Sequence, residues 1–107
     1  MATMKNIKTH ADILVTVTEI IKMMRKANQI GVVGTSYYIE KIELIEFFKT
    51  FELLRKSNQE VTLYAPEENF NSDVYELKLK PADGFVIYIQ SEKVSKLKPK
   101  INLINYN

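Results

Sequence analysis

The segment Asn28-Gln-Ile-Gly-Val-Val-Gly-Thr-Ser-Tyr37 lies between two long stretches with helical periodicity. The apolar residues in 30–33 predict a short buried strand, and Gly34-Thr35-Ser36 predict a tight turn into a helix. In such a unit, the glycine backbone, the hydroxyls and the helix N-terminus together favour an anion. The segment therefore predicts an α/β fold and a ligand of the phosphate type.

Outside this segment, helical spacing of apolar residues predicts a helix over residues 9–28, with Thr9 as N-cap and Asp12 completing a capping box. The same periodicity predicts a second helix over residues 36–56. Runs of β-branched and aromatic residues predict further strands, two of them joined by a turn at 80–84. The other predicted elements are strands 61–65, 74–79, 85–89 and 101–104 and a short helix 91–97.

Strands and helices alternate along most of the chain, which is typical of α/β folds with parallel strands. At 107 residues, we expect a single domain over residues 1–107. Its predicted architecture is a small three-layer Rossmann-like sandwich with a mainly parallel four-stranded sheet. The alternative is an α+β fold in which two helices cover an antiparallel meander. The predicted hairpin of strands 74–79 and 85–89 favours this alternative.

The composition excludes several classes of protein. With 46% hydrophobic and 26% charged residues, the chain is predicted to be globular and not disordered. It has no cysteine, which excludes a disulfide framework and a thiolate metal site. Because the sequence contains no recognisable signal peptide or membrane-spanning run, we predict a cytoplasmic protein without membrane contact. The net charge of +2 is low for a nucleic-acid-binding protein.

Two segments resemble SIS domains, the sugar-isomerase or phosphosugar-binding domains. They are Ile30-Gly-Val-Val-Gly-Thr-Ser-Tyr-Tyr38, which follows a predicted helix, and Pro81-Ala-Asp-Gly-Phe-Val-Ile-Tyr-Ile-Gln-Ser91. The chain is most similar to a shortened or degenerate SIS domain, of the kind found in the C-terminal part of RpiR-type transcriptional regulators. The resemblance implies a phosphosugar-binding domain with a role in regulation.

In SIS domains, the loops after the first and third strands hold the phosphate of the ligand. The resemblance implies that Gly34, Thr35 and Ser36 form the first of these loops here, and that Ser91 and Lys93 belong to the second. The second loop lacks the glycine that SIS domains usually have there.

No cofactor motif or nucleophile–base pair is recognisable, and one histidine, His10, cannot form a metal cluster. We therefore predict a non-catalytic binding or regulatory domain for a phosphorylated small molecule, without cofactor or metal. The predicted helix 36–56 has a broad apolar arc, which indicates a homodimer paired through this helix. The alternative is a small nucleic-acid-binding or adaptor protein of phage or mobile-element origin, although the charge does not favour direct contact with nucleic acid.

Overall fold

The computed structural model describes residues 7–57, 59–68 and 73–94 of the chain. In chain order the elements are α1 (His10–Gln29), β1 (Ser36–Ile42), α2 (Leu44–Lys56), β2 (Val61–Tyr64), a 3-10 turn (Pro66–Glu68), β3 (Glu76–Ala82) and β4 (Phe85–Ser91). The predicted strand 101–104 lies outside the described residues, as do residues 95–97 of the predicted short helix. Residues 92–94 of that predicted helix are not helical.

Helix α1 is confirmed, together with the predicted capping box at its start. The Thr9 hydroxyl oxygen accepts a hydrogen bond from the Asp12 amide at 3.1 Å, and the Asp12 carboxylate accepts one from the Thr9 amide at 3.1 Å. Apolar residues recur every three or four positions along α1, so that one face of the helix is buried. These buried residues are Ile13, Val17, Ile20, Ile21 and Met24.

The prediction of a helix over residues 36–56 is wrong in its first part, because residues 36–42 form strand β1. Two adjacent tyrosines and two isoleucines give this stretch a high preference for extended structure. Helix α2 begins only at Leu44. The prediction of a buried strand at 30–33 is also wrong, since these residues belong to the connection from α1 to β1, where Val33 is 86% exposed.

The four strands form one mixed sheet in the order β1-β4-β3-β2. β2, β3 and β4 pair antiparallel in sequence, and only β1 and β4 are parallel. The prediction of a mainly parallel sheet is therefore wrong, and the α+β alternative fits in part. The cause is the short Asp83-Gly84 connection, which permits only an antiparallel neighbour for β3. Gly84 has a φ of 83°, a left-handed conformation suited to glycine.

Both helices pack into a single hydrophobic cluster with one face of the sheet. Helix α1 contacts β3 and α2, and α2 contacts β2 and β4. Every second residue of β4 is buried in this core, as expected for a strand with one covered face. We refer to the opposite side as the open face, because no described helix covers it. Its central row contains one residue from each strand: Tyr38, Tyr88, Lys78 and Thr62.

Candidate functional site

The residues predicted to bind phosphate do not lie together. Thr35 and Ser36 are at the start of β1, where Ser36 pairs with Val86 of β4. Ser91 is the last residue of β4 and follows Val86 by five residues along this parallel strand. At about 3.3 Å per residue, the two predicted loops are separated by roughly 16 Å. One phosphate group cannot contact both of them.

Gly34 lies very close to the backbone of the turn between β3 and β4. A Cβ atom at Gly34 would be 1.8 Å from the carbonyl oxygen of Gly84 and 2.2 Å from its carbonyl carbon. Only a residue without a side chain leaves room for such an approach. The close approach of the two backbones is sufficient reason for a glycine at position 34, and no bound phosphate is needed to explain it.

The N-terminus of α2 is separated from residues 34–36 by the whole of β1. The helix begins after Glu43, whose side chain makes no capping hydrogen bond. Instead, the Leu44 amide donates to the Glu92 carboxylate at 3.2 Å. A carboxylate in this position complements the positive end of the helix dipole. The anion at this helix N-terminus is therefore a side chain of the protein itself.

Ser91 and Lys93 both make contacts within the domain. The buried Ser91 hydroxyl accepts a hydrogen bond from the Tyr75 amide at 3.0 Å and donates one to the Glu92 carbonyl at 2.8 Å. The exposed Lys93 ammonium lies 3.9 Å from the Asp73 carboxylate. Because backbone groups already satisfy the Ser91 hydroxyl, this loop offers little to a ligand. Phosphate binding by the predicted residues stays a prediction, without a common site to support it.

A histidine–glutamate pair joins the first turns of the two helices. The Nδ1 atom and the backbone amide of His10 lie 2.7 and 2.8 Å from one carboxylate oxygen of Glu46. The hydrogen bond with the His10 side chain, and after it the bond from the His10 amide, lowers the pKa of Glu46. Among the described residues, no group of three His, Cys, Asp or Glu side chains is placed to hold a metal ion. The pair therefore connects α1 to α2 without forming a metal site.

A groove of about 230 Å³ lies beside α1, the end of β3 and the start of β2. The Arg25 Nε in this groove donates to the Pro81 carbonyl at 3.3 Å. The charged side chains around it carry both signs, so the groove presents no concentrated charge to a ligand. The residues that line it are Ile21, Arg25, Gln59, Glu60, Leu79, Lys80 and Pro81.

Strand β1 is at the edge of the sheet, and no described strand pairs with its outer side. The Val86 amide donates to the Thr35 carbonyl at 3.1 Å. In a parallel ladder, the backbone groups of every second residue point to the same neighbouring strand. Because Thr35 bonds to β4, the amides and carbonyls of Tyr37 and Ile39 also point to β4. The residues between them point their amides and carbonyls away from the sheet. These outward residues are Ser36, Tyr38 and Glu40.

Exposed apolar side chains are concentrated in the first residues of β1 and in the connection that leads into it. Of the nine large apolar side chains exposed in the described residues, five lie within residues 30–38. Clusters of this kind mark interaction sites more often than single exposed residues do. We refer to these five side chains, with the outward backbone groups of residues 36–40, as the β1 edge surface. The five are Ile30, Val32, Val33, Tyr37 and Tyr38.

Tyr38 is held in position by a second tyrosine on the open face. The rings of Tyr38 and Tyr88 stack with centroids 4.8 Å apart and planes at 22°. Such a pair contributes about 1 kcal/mol beyond the area it buries. Tyr38 is still 53% exposed. It is therefore an exposed aromatic group whose position is restrained by stacking, which lowers the conformational entropy that such a side chain loses in an interface.

The net charge of the chain is small. Its 15 Lys and Arg residues against 13 Asp and Glu residues give a formal charge of +2. The central row of the open face contains a single charged residue, Lys78. Nucleic-acid binding depends on several cations that neutralise phosphates together. The charge of this surface does not favour a nucleic acid.

No protein-family model, curated protein or solved structure matches this chain. None of the helices in the described ranges is long and apolar enough to cross a membrane. The β1 edge surface was not predicted from the sequence, because Tyr37 and Tyr38 fall within the predicted helix 36–56. The signal for it was the strand preference of the two tyrosines followed by Ile39.

Proposed function

We propose that this protein is a non-catalytic interaction module, an adaptor, that binds an extended protein segment along the β1 edge surface. One observation carries the proposal: the outer side of β1 is unpaired by any described strand, and β1 and the connection that precedes it hold five exposed apolar side chains. When a strand is added to a sheet edge, backbone hydrogen bonds provide affinity and alternate side chains provide specificity.

The two kinds of group on this edge match these two needs. The outward amides and carbonyls of Ser36, Tyr38 and Glu40 bond to the backbone of the added strand. Its side chains alternate between the two faces of the extended sheet. On the open face they contact Tyr38, and on the helix side they contact Tyr37, which is 43% exposed. Apolar contact with Val33 enlarges the buried area beyond the strand itself.

The chemistry of this surface suits a protein more than the other ligands considered. Tyrosine is enriched in protein interfaces, whereas the net charge of +2 is low for a protein that binds nucleic acid. A phosphosugar ligand is a competing proposal, and the separation of its two loops weighs against it. Pairing through the predicted helix 36–56 also stays a prediction. Within that range, the exposed large apolar side chains of α2 are Ile45, which is 62% exposed, and Leu53, which is 37% exposed.

Site-specific photo-crosslinking tests the proposal in the full chain, produced in cells of the organism that encodes it. A benzophenone amino acid replaces Tyr38, and in a matched control it replaces Thr62, which ends the same row on the opposite edge strand. We expect a discrete adduct from position 38 and none from position 62. The adduct should disappear when Ser36→Pro and Glu40→Pro remove two outward amides.

Two results contradict the proposal. The first is the absence of any adduct from position 38. The second is an adduct that persists after both proline substitutions, because contact without the backbone hydrogen bonds is not strand addition.

A further inference from the structure

We infer that the segment bound at the β1 edge surface belongs to a second copy of this chain. The two β1 strands pair antiparallel about a two-fold axis that passes beside Tyr38, and the two sheets join into one sheet of eight strands. This inference rests on the proposed function and names the partner of the same surface.

The outward backbone groups of β1 are self-complementary in one register. In antiparallel pairing, two residues that face each other with outward groups exchange two hydrogen bonds. With Tyr38 opposite the partner's Tyr38, Ser36 lies opposite the partner's Glu40, and Glu40 opposite the partner's Ser36. All three outward residues are then paired, which gives roughly six backbone hydrogen bonds.

A bulge near the end of β1 selects this register. The pairing of β1 with β4 shifts between Ile39 and Ile42, and Lys41 between them has a φ of 63°. Bulges twist a strand and end regular pairing on its edge. The regular free edge therefore stops at Glu40. Registers centred away from Tyr38 leave at least one outward residue without a partner.

The side chains agree with this register on both faces of the sheet. On the open face, Tyr38 meets the partner's Tyr38, and the Tyr88 stack continues the row on each side. On the helix side, Tyr37 lies opposite the partner's Ile39, which is an apolar pair. Glu40 faces the hydroxyl of the partner's Ser36. No like charges oppose each other over residues 36–40, and like charges in such pairs would be destabilising.

The two-fold axis makes a charge-reversal experiment possible, because position 38 faces itself only in this dimer. Sedimentation velocity measures the dimer dissociation constant of the full chain. Tyr38→Lys alone and Tyr38→Glu alone each place two like charges together, and we expect each to raise the constant at least about tenfold. An equimolar mixture of the two variants should associate again. Thr62→Lys, on the other edge, should not change the constant.

The results that overturn the inference are distinct from those that overturn the proposed function. A wild-type chain that stays monomeric up to about 1 mM has no self-association of the expected strength. Dimers that Tyr38→Lys leaves intact, or variants that do not associate in mixture, place the interface elsewhere. If the crosslinked adduct from position 38 then has the mass of another protein, the proposed function stands and only the inference fails. Circular dichroism of each variant verifies that it is folded.

Hydrogen exchange separates a second copy from a segment of the same chain as the occupant. In the dimer, protection of the Ser36 and Glu40 amides increases with protein concentration, while that of the Tyr37 and Ile39 amides does not. Protection of Ser36 and Glu40 that is independent of concentration would assign the edge to the same chain and overturn the inference. Fast exchange of both amides at every concentration would overturn it too.

Discussion

The two edge strands of the sheet differ in length and in what they expose. β2 has four residues, of which only Thr62 is exposed, and Pro66 follows soon after it. β1 has seven residues, of which five are exposed. Short edge strands next to proline resist pairing with other chains, and long apolar ones invite it. β2 therefore has the protection that most sheet edges have, and β1 lacks it before the bulge at Lys41. This difference is the reason for proposing the interaction surface at β1 and not at β2.

The largest expected effect comes from the glycine that holds the start of β1 against the turn of the sheet. Gly34→Ala places a Cβ atom 1.8 Å from the Gly84 carbonyl oxygen, so the backbone must move. We expect the free energy of unfolding, measured in urea, to fall by at least about 3 kcal/mol. Gly31→Ala is the matched control: its φ is 85°, but an added Cβ meets nothing within 4 Å. It should cost only about 1 kcal/mol, and equal losses would contradict the contact with Gly84.

Proline substitutions at two neighbouring positions distinguish the amides of β1 that bond to β4 from those that point away from the sheet. Tyr37→Pro removes an amide that bonds to β4, and we expect it to be about 2 kcal/mol less stable than Tyr37→Ala. Ser36→Pro removes an outward amide, and we expect its stability to stay within about 0.5 kcal/mol of that of Ser36→Ala. Urea unfolding of dilute, monomeric protein measures both differences. Similar losses at the two positions would mean that the backbone does not alternate as described.

A double-mutant cycle sharpens the comparison on the open face. We expect Tyr38→Ala and Tyr88→Ala to show a coupling of about 1 kcal/mol in unfolding experiments, because their rings stack. The pair on the opposite edge, Thr62 and Lys78, has no stacked rings and should show about 0.3 kcal/mol. Equal coupling energies for the two pairs would mean that stacking on Tyr88 does not restrain Tyr38.

The smallest effect is expected from pH, through the pair that joins the helices. The pKa of Glu46 is lowered in the folded protein by its hydrogen bonds with His10. The carboxylate therefore stabilises the fold at pH values above its ordinary pKa of 4.5. This contribution is lost as the pH falls through the lower pKa of the folded state. The test is the urea midpoint measured as a function of pH. The decrease at acidic pH that Glu46 causes should be absent in Glu46→Gln and present in the exposed control Glu43→Gln.

Such a loss should be the same whether or not the β1 edge is occupied, because Glu46 lies in the helix layer. A change in the dimer dissociation constant in Glu46→Gln at neutral pH would instead mean that the His10–Glu46 pair influences the β1 edge.

Local patterns predict much of this fold. The capping box at Thr9 and Asp12 and the apolar stripe after it identify α1, because a helix is stabilised by residues close in sequence. Alternating and β-branched runs identify β2, β3 and β4 to within a few residues. The turn before Phe85 is predicted too, because Asp83 and Gly84 are residues that turns favour.

The misassigned residues 36–42 have a physical explanation. In a regular strand, Ile39 and Ile42 would point to opposite faces, since side chains alternate. Both are buried here because the bulge at Lys41 adds a residue between them. Two buried residues three positions apart are also the pattern of a helix face. The bulge thus gives a strand the sequence period of a helix, and α2 follows directly with the same period.

Local sequence patterns suffice for the type and approximate place of α1, of the second half of the predicted helix 36–56, and of strands β2, β3 and β4, but not for the antiparallel pairing of these strands, which was predicted only as the alternative. Only the tertiary structure decided that β1 lies beside β4 at the edge, and that Gly34 meets Gly84, which follows it by 50 positions. Helices and tight hairpins are favoured by interactions between neighbours in sequence. The pairing of β1 depends on groups that meet only once the core has formed, so a local preference for a strand does not reveal that this strand lies at the edge of the sheet.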